Sequence, residues 1–325
     1  MKLNALHCFV AAVETGSIHA AARKLGLTQP ALTKALRGLE QELGVQLLVR
    51  TTRGSGPTEI GHAFYRRARL VAGEIGKARA EIDQLRGTMA GELAFSVAPA
   101  ATIQLVPEAV REFRRVHPAV RLRIFDGPLP SAIAQLRAGE TEFAVASLTG
   151  HWPRREFRLE KLFEYETVVV ARRGHPLAAA RTLKDLREAD WAHAGARGSV
   201  GVFAEATFAP HGMEPPRPAM ECGSFAALIA MVATNDVLAL LPRPFVELPA
   251  LRALLVRVPV REPSARAAIG LVQRADAALT PAAEALANQL RRVAGRLRTA
   301  DGGRADDARA PARPRALPRS RPPAG

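Results

Sequence analysis

Within Gly16–Glu42, GSIHAAARKLGLTQPALTKALRGLEQE, the residues Gln29, Pro30, Thr33, Lys34 and Arg37 fall on one face at helical spacing. Their chemistry is that of reading duplex DNA. A glutamine amide can pair with adenine, a threonine can meet a thymine methyl or a phosphate, and lysine or arginine can reach guanine or phosphate. A charged helix face alone is ordinarily a solvated face, so the surrounding pattern decides. Ser17 and Thr28 stand where hydroxyls cap the starts of two short helices. Gly26–Leu27 supplies a tight turn between them, and Pro30 falls in the first helical turn, where a missing N–H costs little. Ala21 and Ala22 let the helices approach, and Leu25, Leu27, Leu32, Leu36, Leu39 and Leu43 close a small core. A helix-turn-helix of this kind lays its second helix in the major groove. Next comes a short strand expected at Val45–Val49, then a Gly- and Arg-containing loop, Arg50–Pro57. Arg50 and Arg53 there suit a wing on the DNA backbone or minor groove; the plainer alternative is an exposed turn.

Catalytic chemistry finds no comparable footing. Gly54-Ser55-Gly56 lacks the third glycine of a dinucleotide fingerprint, and Arg197-Gly198-Ser199-Val200-Gly201 puts arginine where a nucleophile elbow needs glycine. The histidines form no cluster, and the two cysteines, Cys8 and Cys222, are far apart, so no metal spacing or disulfide framework exists. The reading is therefore no enzyme, no catalytic residue, no metal and no cofactor. Cys8 is expected to be a small core residue, while a redox role for Cys222 is the weaker of its two readings. A net charge of +15 favours a polyanionic partner, although Ala, Arg and Pro richness can also reflect codon usage. The opening MKLNALHCFVAAVETGS has helical periodicity without a signal-peptide core, and no run is apolar enough to span a bilayer. A cytoplasmic protein without a membrane partner is expected.

The elements that must position these residues follow from periodicity. Leu6, Phe9, Val10 and Val13 share one face of a first helix, Leu3–Glu14. Thr58 caps a long helix, Glu59–Gly87, in which Phe64, Ala68, Val71, Ile75, Ala78, Ile82, Leu85 and Met89 repeat at alternating steps of four and three. That seam predicts dimerisation through Phe64, Val71, Ile75, Ile82 and Leu85, against the alternative of a helix lying on its own domain. From Glu92 onward short strands and helices alternate: strands at Leu93–Ala98, Val120–Phe125 and Phe143–Ser147, with helices at Thr102–Val116 and Ser131–Ala138 between them. A second set contains Thr167–Ala171, Ser199–Phe208, Phe225–Thr234 and Val237–Leu241. Strands near Leu255–Val258 and Ala268–Val272 are candidates to cross back to the first half, and a helix near Pro281–Leu297 closes the fold. The pattern indicates parallel β-α-β architecture in two lobes around a ligand cleft. The expected divisions are a winged helix-turn-helix domain at 1–58, a linker and dimerisation helix with hinge at 59–90, an effector domain at 91–298 and a disordered basic tail at 299–325.

Together these features resemble the LysR-type transcriptional regulators. The matching residues are Phe9 with Val10, Gly16–Ser17, Ala21–Ala22, Leu25, Thr28–Gln29–Pro30–Ala31, Leu39–Glu40, Leu43–Gly44, Leu47, Arg50, and Thr58 with Gly61. The resemblance implies an α+β multidomain fold: an N-terminal winged helix-turn-helix, a long linker helix, and a two-lobed α/β effector domain of periplasmic-binding-protein type. It further implies double-stranded promoter DNA as partner, a homodimer or dimer-of-dimers, control by a small-molecule effector such as a small organic acid, and RNA polymerase as a candidate further partner. Two departures stand out. Thr234–Asn235–Asp236 replaces a Gly-rich turn, with Asn235 expected to adopt left-handed backbone angles, and Glu142 stands where Asp is common.

On that fold, effector positions can be proposed at strand ends and helix starts. Pro99, Ala100 and Thr102 open a helix in the first lobe, and Gly127 and Ser147 end the next two strands. In the second lobe Arg197 offers a counter-charge, and Ser199, Val200, Ser224 and Phe225 begin helices. Ser199 and Ser224 suit a carboxylate or sulfonate, and Phe225 suits an aromatic wall; a plain helix cap is the competing role of each serine. The competing functions are a constitutive DNA-binding or architectural protein without a ligand and, with less support, an enzyme built on the lobes.

Overall fold

The computed structural model describes residues 1–51, 54–127, 129–148, 152–194, 202–263 and 265–307, with the side chains at 50, 51, 54, 202 and 299–307 outside that description. The amino-terminal unit comprises α1 (Leu3–Thr15), α2 (Ile18–Leu25), α3 (Gln29–Leu43) and a hairpin of β1 (Leu48–Thr51) and β2 (Gly54–Pro57). Its core is the one expected: Leu6, Cys8, Phe9, Ala21, Ala22, Leu32, Leu36 and Leu39 are buried together. Burial also pushes the Cys8 thiol up, away from the reactive thiolate. Leu43 is the exception on the leucine stripe. It is 38% exposed, because the last turn of α3 runs past the core. The expected strand at Val45–Val49 is displaced to Leu48–Thr51. The Glu40 carboxylate explains the shift: its Oε1 accepts from the Leu47 and Leu48 N–H groups at 2.8 and 3.1 Å, which satisfies the donors just before the hairpin.

Helix α4 (Glu59–Leu85) begins under a Thr58 cap whose Oγ1 accepts from Gly61 N–H at 2.9 Å. Gly61 sits against the wing's root so closely that a Cβ there would lie 2.0 Å from the Leu47 carbonyl oxygen. Farther along, α4 lies on the first lobe of its own chain. Arg69 pairs with Glu140 at 2.6 Å and Arg274 with Glu74 at 3.3 Å. The buried Gln84 accepts from Ala282 N–H at 3.0 Å, filling one of the unpaired donors at the start of the carboxy-terminal helix.

The first lobe holds β3 (Gly91–Val97), α5 (Pro99–Gln104), α6 (Val106–Val116), β4 (Val120–Asp126), α7 (Leu129–Arg137) and β5 (Phe143–Ser147). The single helix expected at Thr102–Val116 is broken at Leu105, because Pro107 in the first turn of α6 has no N–H to continue the ladder. A strand of 16 residues, β6 (Phe157–Arg172), then runs through both lobes, so the expected strand Thr167–Ala171 is only its second half. The second lobe adds β7 (Trp191–Ala194), α8 (Val202–Phe208), β8 (Pro218–Cys222), α9 (Phe225–Thr234), β9 (Ala239–Pro242), α10 (Arg243–Glu247), α11 (Pro249–Arg252) and β10 (Leu255–Arg257). The helix expected from Ser199 is described only from Val202. The chain returns to the first lobe through β11 (Arg266–Arg274) and closes with α12 (Pro281–Asp307).

The sheet order is β10-β6-β11-β5-β3-β4, with β9 also on β6. Strands β4, β3 and β5 are parallel, as are β7 and β8, but β11 is antiparallel to both β5 and β6. The architecture is therefore mixed rather than purely parallel. Of the two strands expected to cross back, only Arg266–Arg274 does so; Leu255–Arg257 pairs with the far end of β6 and stays in the second lobe. Thr167 marks the passage between lobes, its N–H and Oγ1 both donating to the Ala265 carbonyl at 2.9 Å. Helix α12 extends to Asp307, past the expected end at Leu297, so the beginning of the presumed disordered tail is helical; residues 308–325 lie outside the described residues. Alanine and arginine favour continuation there, against two glycines that oppose it.

Candidate nucleic-acid interface and effector cleft

The turn between α2 and α3 is built by hydrogen bonds that the sequence pattern demands. Gly26 has φ 65° and donates to Arg23, while Leu27 N–H reaches back to the Ala22 carbonyl at 2.9 Å. This paired closure of a helix end needs a residue tolerant of positive φ. Ser17 and Thr28 accept from Ala20 and Ala31 N–H groups, each at 3.4 Å, and cap the two helices as expected. With Leu32, Leu36 and Leu39 turned inward, Gln29, Pro30, Lys34 and Arg37 are exposed and Thr33 is half-buried. Lys34 and Arg37 have no acidic partner among the described residues, so their charges are uncommitted. The wing is an antiparallel hairpin with Arg50 opposite Ser55. Ser55 N–H donates to the Gly16 carbonyl at 3.0 Å, fixing the hairpin to the turn between α1 and α2. Arg53 lies outside the described residues.

The heptad stripe of α4 divides into three parts. Phe64 meets Phe9 at 5.4 Å between ring centroids and Ala68 is buried, so this end closes the core of the amino-terminal unit rather than facing outward. Met89, beyond the helix, packs against the first lobe's core. Between them Val71, Ile82 and Leu85 are 45%, 53% and 73% exposed, and Ile75 is half-buried. Alternation of four and three residues cannot tell an intramolecular from an intermolecular partner, which is why Phe64 joined the seam on sequence alone.

The residues expected to meet an effector lie at helix starts and strand ends. Pro99 and Ala100 start α5; Ala100 is buried, Thr102 is exposed, and its Oγ1 donates to the Ala98 carbonyl at 3.3 Å. Gly127 is half-buried just after β4. Ser147 ends β5, where its side chain bonds the buried Tyr165 hydroxyl, and its carbonyl accepts from Trp152 Nε1 at 3.1 Å. Burial pushes the Tyr165 phenol up to about 12, so it remains neutral, with the Ser147 hydrogen bond pulling the other way. Ser224 caps α9, accepting from Ala227 N–H at 3.1 Å. The Phe225 ring meets that of Phe245 in α10 at a tilt of 54°, with centroids 4.4 Å apart, and α10 in turn touches α5 of the first lobe. The ring contact therefore joins α9 to the second-lobe helix that touches α5. Arg197, Ser199 and Val200 lie outside the described residues. Asn235 does not take left-handed angles: its φ is −124°, and its Nδ2 donates to the Met231 carbonyl at 3.0 Å, closing α9 with the side chain instead.

Sequence reasoning passed over several residues. Phe245 sits in RPFVE with no pattern to mark it, and Trp191–Ala194 is too short to read as a strand. His193 there is buried, and burial pushes its imidazole down toward the neutral form, with Glu221 opposing. Glu142 accepts from Thr280 N–H and Oγ1 at 3.1 and 3.2 Å; burial nonetheless raises its carboxyl, with Thr280 and Lys77 pulling the other way. Its longer reach than aspartate is what spans to Thr280, a contact no linear motif shows. Among the described residues there is no metal-binding cluster, and no helix is long and apolar enough to cross a membrane.

Comparison with known proteins agrees with this architecture. Residues 3–62 match the bacterial regulatory helix-turn-helix family model of lysR type, and residues 86–295 match the LysR substrate binding domain. The HTH-type transcriptional regulator GalR of Pseudomonas putida is 31% identical over 289 residues, covering 89% of this chain and 73% of its own length. The SDS degradation transcriptional activation protein of a Pseudomonas species is 33% identical, covering 87% and 94%. Full-length CbnR, solved with its target DNA, has the same fold with a TM-score of 0.68 at 22% identity over 90% of this chain and 100% of its own. Full-length OxyR from Pseudomonas aeruginosa gives 0.66 at 21% identity, over 90% and 95%. These relatives are transcriptional regulators rather than enzymes. The chain belongs to the LysR family of DNA-binding transcriptional regulators, with an effector-binding domain behind its helix-turn-helix.

Proposed function

We propose that α3 reads promoter sequence through Gln29, Thr33, Lys34 and Arg37, that Arg50 and Arg53 hold the wing to phosphate, and that a small organic acid in the inter-lobe cleft adjusts the geometry of the DNA-bound assembly. The functional divisions proposed are 1–58 for DNA, 59–90 for dimerisation and transmission, 91–298 for the effector and 299–325 as a basic tail. The carrying observation is the uncommitted polar face of α3 beside a wing pinned to Gly16. The Phe225–Phe245 pair beside α5, with the Ser224 hydroxyl at the start of α9, supports an aromatic or apolar acid in the cleft. Ser199 and Arg197 belong to the same proposed site. Lobe reorientation would shift an equilibrium between arrangements of the paired linker helices, with consequences for DNA bend and for contact with RNA polymerase.

Nuclease footprints on the protein's own promoter, taken with and without a panel of organic acids, test this reading. At least one acid is expected to shorten or shift the footprint. Footprints unchanged by every acid that binds the protein would favour a constitutive DNA-binding protein.

The exposed middle of the α4 stripe is proposed as the subunit seam. Ile82→Glu is expected to convert dimer to monomer at micromolar concentration in sedimentation velocity, because the charge would be buried without a partner. A dimer that sediments unchanged would place the interface elsewhere.

A further inference from the structure

One carboxylate ties the recognition helix to the wing. Glu40 lies seven residues after Thr33 and three after Arg37 in α3, so it continues the stripe that carries them. It is half-buried, and its Oε1 accepts from the N–H groups of Leu47 and Leu48 at 2.8 and 3.1 Å, at the root of the hairpin. Among the described residues no other α3 side chain hydrogen-bonds the hairpin or its root. The Leu47 side chain is also buried in the core of the amino-terminal unit. Apolar packing sets how deep the root sits but is non-directional, whereas hydrogen bonds to two successive N–H groups fix the heading of the strand. A strand advances about 3.4 Å per residue, so the Arg50 backbone stands about 7 Å beyond the Leu48 contact and takes its direction from it. The Ser55 N–H bond to Gly16 holds the other strand to the turn between α1 and α2, not to α3. The charge of Glu40 is badly placed for any other role. It occupies the last turn of α3, at the negative end of the helix dipole; that turn has no basic residue, and no cation pairs with Glu40 among the described residues. It also adds negative charge to a unit whose partner is a polyanion. The two bonds to backbone N–H groups are what offset these costs.

We propose that Glu40 is a positioning residue for DNA binding: it fixes the direction of the wing relative to α3, so that the wing arginines and the reading face meet one duplex together. This role rests on the reading in which Arg50 and Arg53 hold phosphate. Glu40 itself touches no DNA; it acts through the Leu47 and Leu48 amides. The position requires an acceptor oxygen at the reach of glutamate, not a negative charge. Glutamine has that reach and an acceptor oxygen. Aspartate keeps the charge but is one methylene too short.

The test is fluorescence anisotropy of the full chain on a fragment of its own promoter and on random duplex, from about 50 to about 200 mM salt, with Glu40→Gln, Glu40→Asp and Glu40→Ala. Each phosphate contact adds about 0.9 to the salt slope, so loss of both wing arginines from the duplex removes about 1.8. Glu40→Ala and Glu40→Asp are each expected to remove at least about one from the slope and to weaken binding to both duplexes about fivefold or more, with the preference for the promoter kept within about twofold. Glu40→Gln is expected to keep the wild-type slope. Amide exchange in a peptide spanning Leu47 and Leu48 is expected to follow the same order, about tenfold faster than wild type in Glu40→Ala and Glu40→Asp and near wild type in Glu40→Gln. Circular dichroism checks folding, and Glu40→Asp, a change of one methylene, carries the test if Glu40→Ala does not fold. R50A/R53A is measured beside them. A wild-type slope in either Glu40→Ala or Glu40→Asp, with a flatter slope in R50A/R53A, would overturn the positioning role and leave the wing on phosphate. Glu40→Gln as flat as Glu40→Ala would overturn it too, since charge rather than an acceptor would then be at work. An unchanged slope in R50A/R53A would instead remove the wing from DNA contact, and the role of Glu40 with it.

Discussion

Gly61→Ala is expected to abolish promoter binding and to destabilise the amino-terminal unit by at least about 3 kcal/mol, the upper range for forcing atoms into a filled space. The added Cβ would meet the Leu47 carbonyl oxygen at 2.0 Å. A flexible side chain could yield, but this oxygen cannot. It is the backbone acceptor for Thr58 N–H at 2.9 Å, and Leu47 itself is held by Glu40 through its own N–H. Either the wing root or the start of α4 must move, and both carry the hairpin that adjoins α3. Urea unfolding and fluorescence anisotropy with a promoter fragment measure the two effects. Gly76→Ala is the matched control on the same helix. Nothing stands within 4 Å of the Cβ it would add, so helix propensity alone should stabilise it by about 0.5–1 kcal/mol. Equal behaviour of the two variants would show that the Gly61 contact yields.

Gln29→Ala and Arg37→Ala are each expected to weaken binding to the cognate site by tenfold to a hundredfold while leaving affinity for random duplex nearly unchanged. The magnitude follows from the worth of one good base contact, about 1–3 kcal/mol of discrimination. Both residues are exposed on α3 and their removal leaves Leu32, Leu36 and Leu39 undisturbed, so folding should not change. Competition binding at fixed salt separates the outcomes. Uniform weakening of cognate and random DNA, with a shallower salt dependence, would mean that the side chain holds phosphate rather than a base edge.

The amino-terminal unit was legible because local rules govern it. Ser17, Gly26, Thr28 and Pro30 each act within four residues of themselves, and the leucine stripe of α3 has one period to read. The wing strand was misplaced for the opposite reason: Glu40 acts on Leu47 and Leu48 across a turn. In the effector domain, element types were mostly readable, but pairing partners were not. Nothing local announces that Phe157–Arg172 is one strand serving both lobes, or that Arg266–Arg274 returns while Leu255–Arg257 stays. Strand ends and helix starts were readable as topology, which is why the proposed effector positions were placed there. The Phe225–Phe245 contact was half legible: Phe225 follows a capping serine, whereas Phe245 is brought to it only by the tertiary fold. The α4 stripe shows the same limit, since apolar spacing reports that a face is covered but not by which chain.

The proposed DNA recognition rests on α3 presenting Gln29, Thr33 and Arg37 to base edges of a particular duplex. Its most direct test is selection of genomic fragments by the purified full-length protein in the presence of excess random competitor, followed by sequencing of what is retained. Enrichment is expected for fragments carrying two related half-sites about one helical turn apart, about 34 Å, and is expected to be lost when Gln29, Thr33 and Arg37 are all replaced by alanine. Retention no better than random competitor, or enrichment of the same fragments by the triple variant, would contradict it.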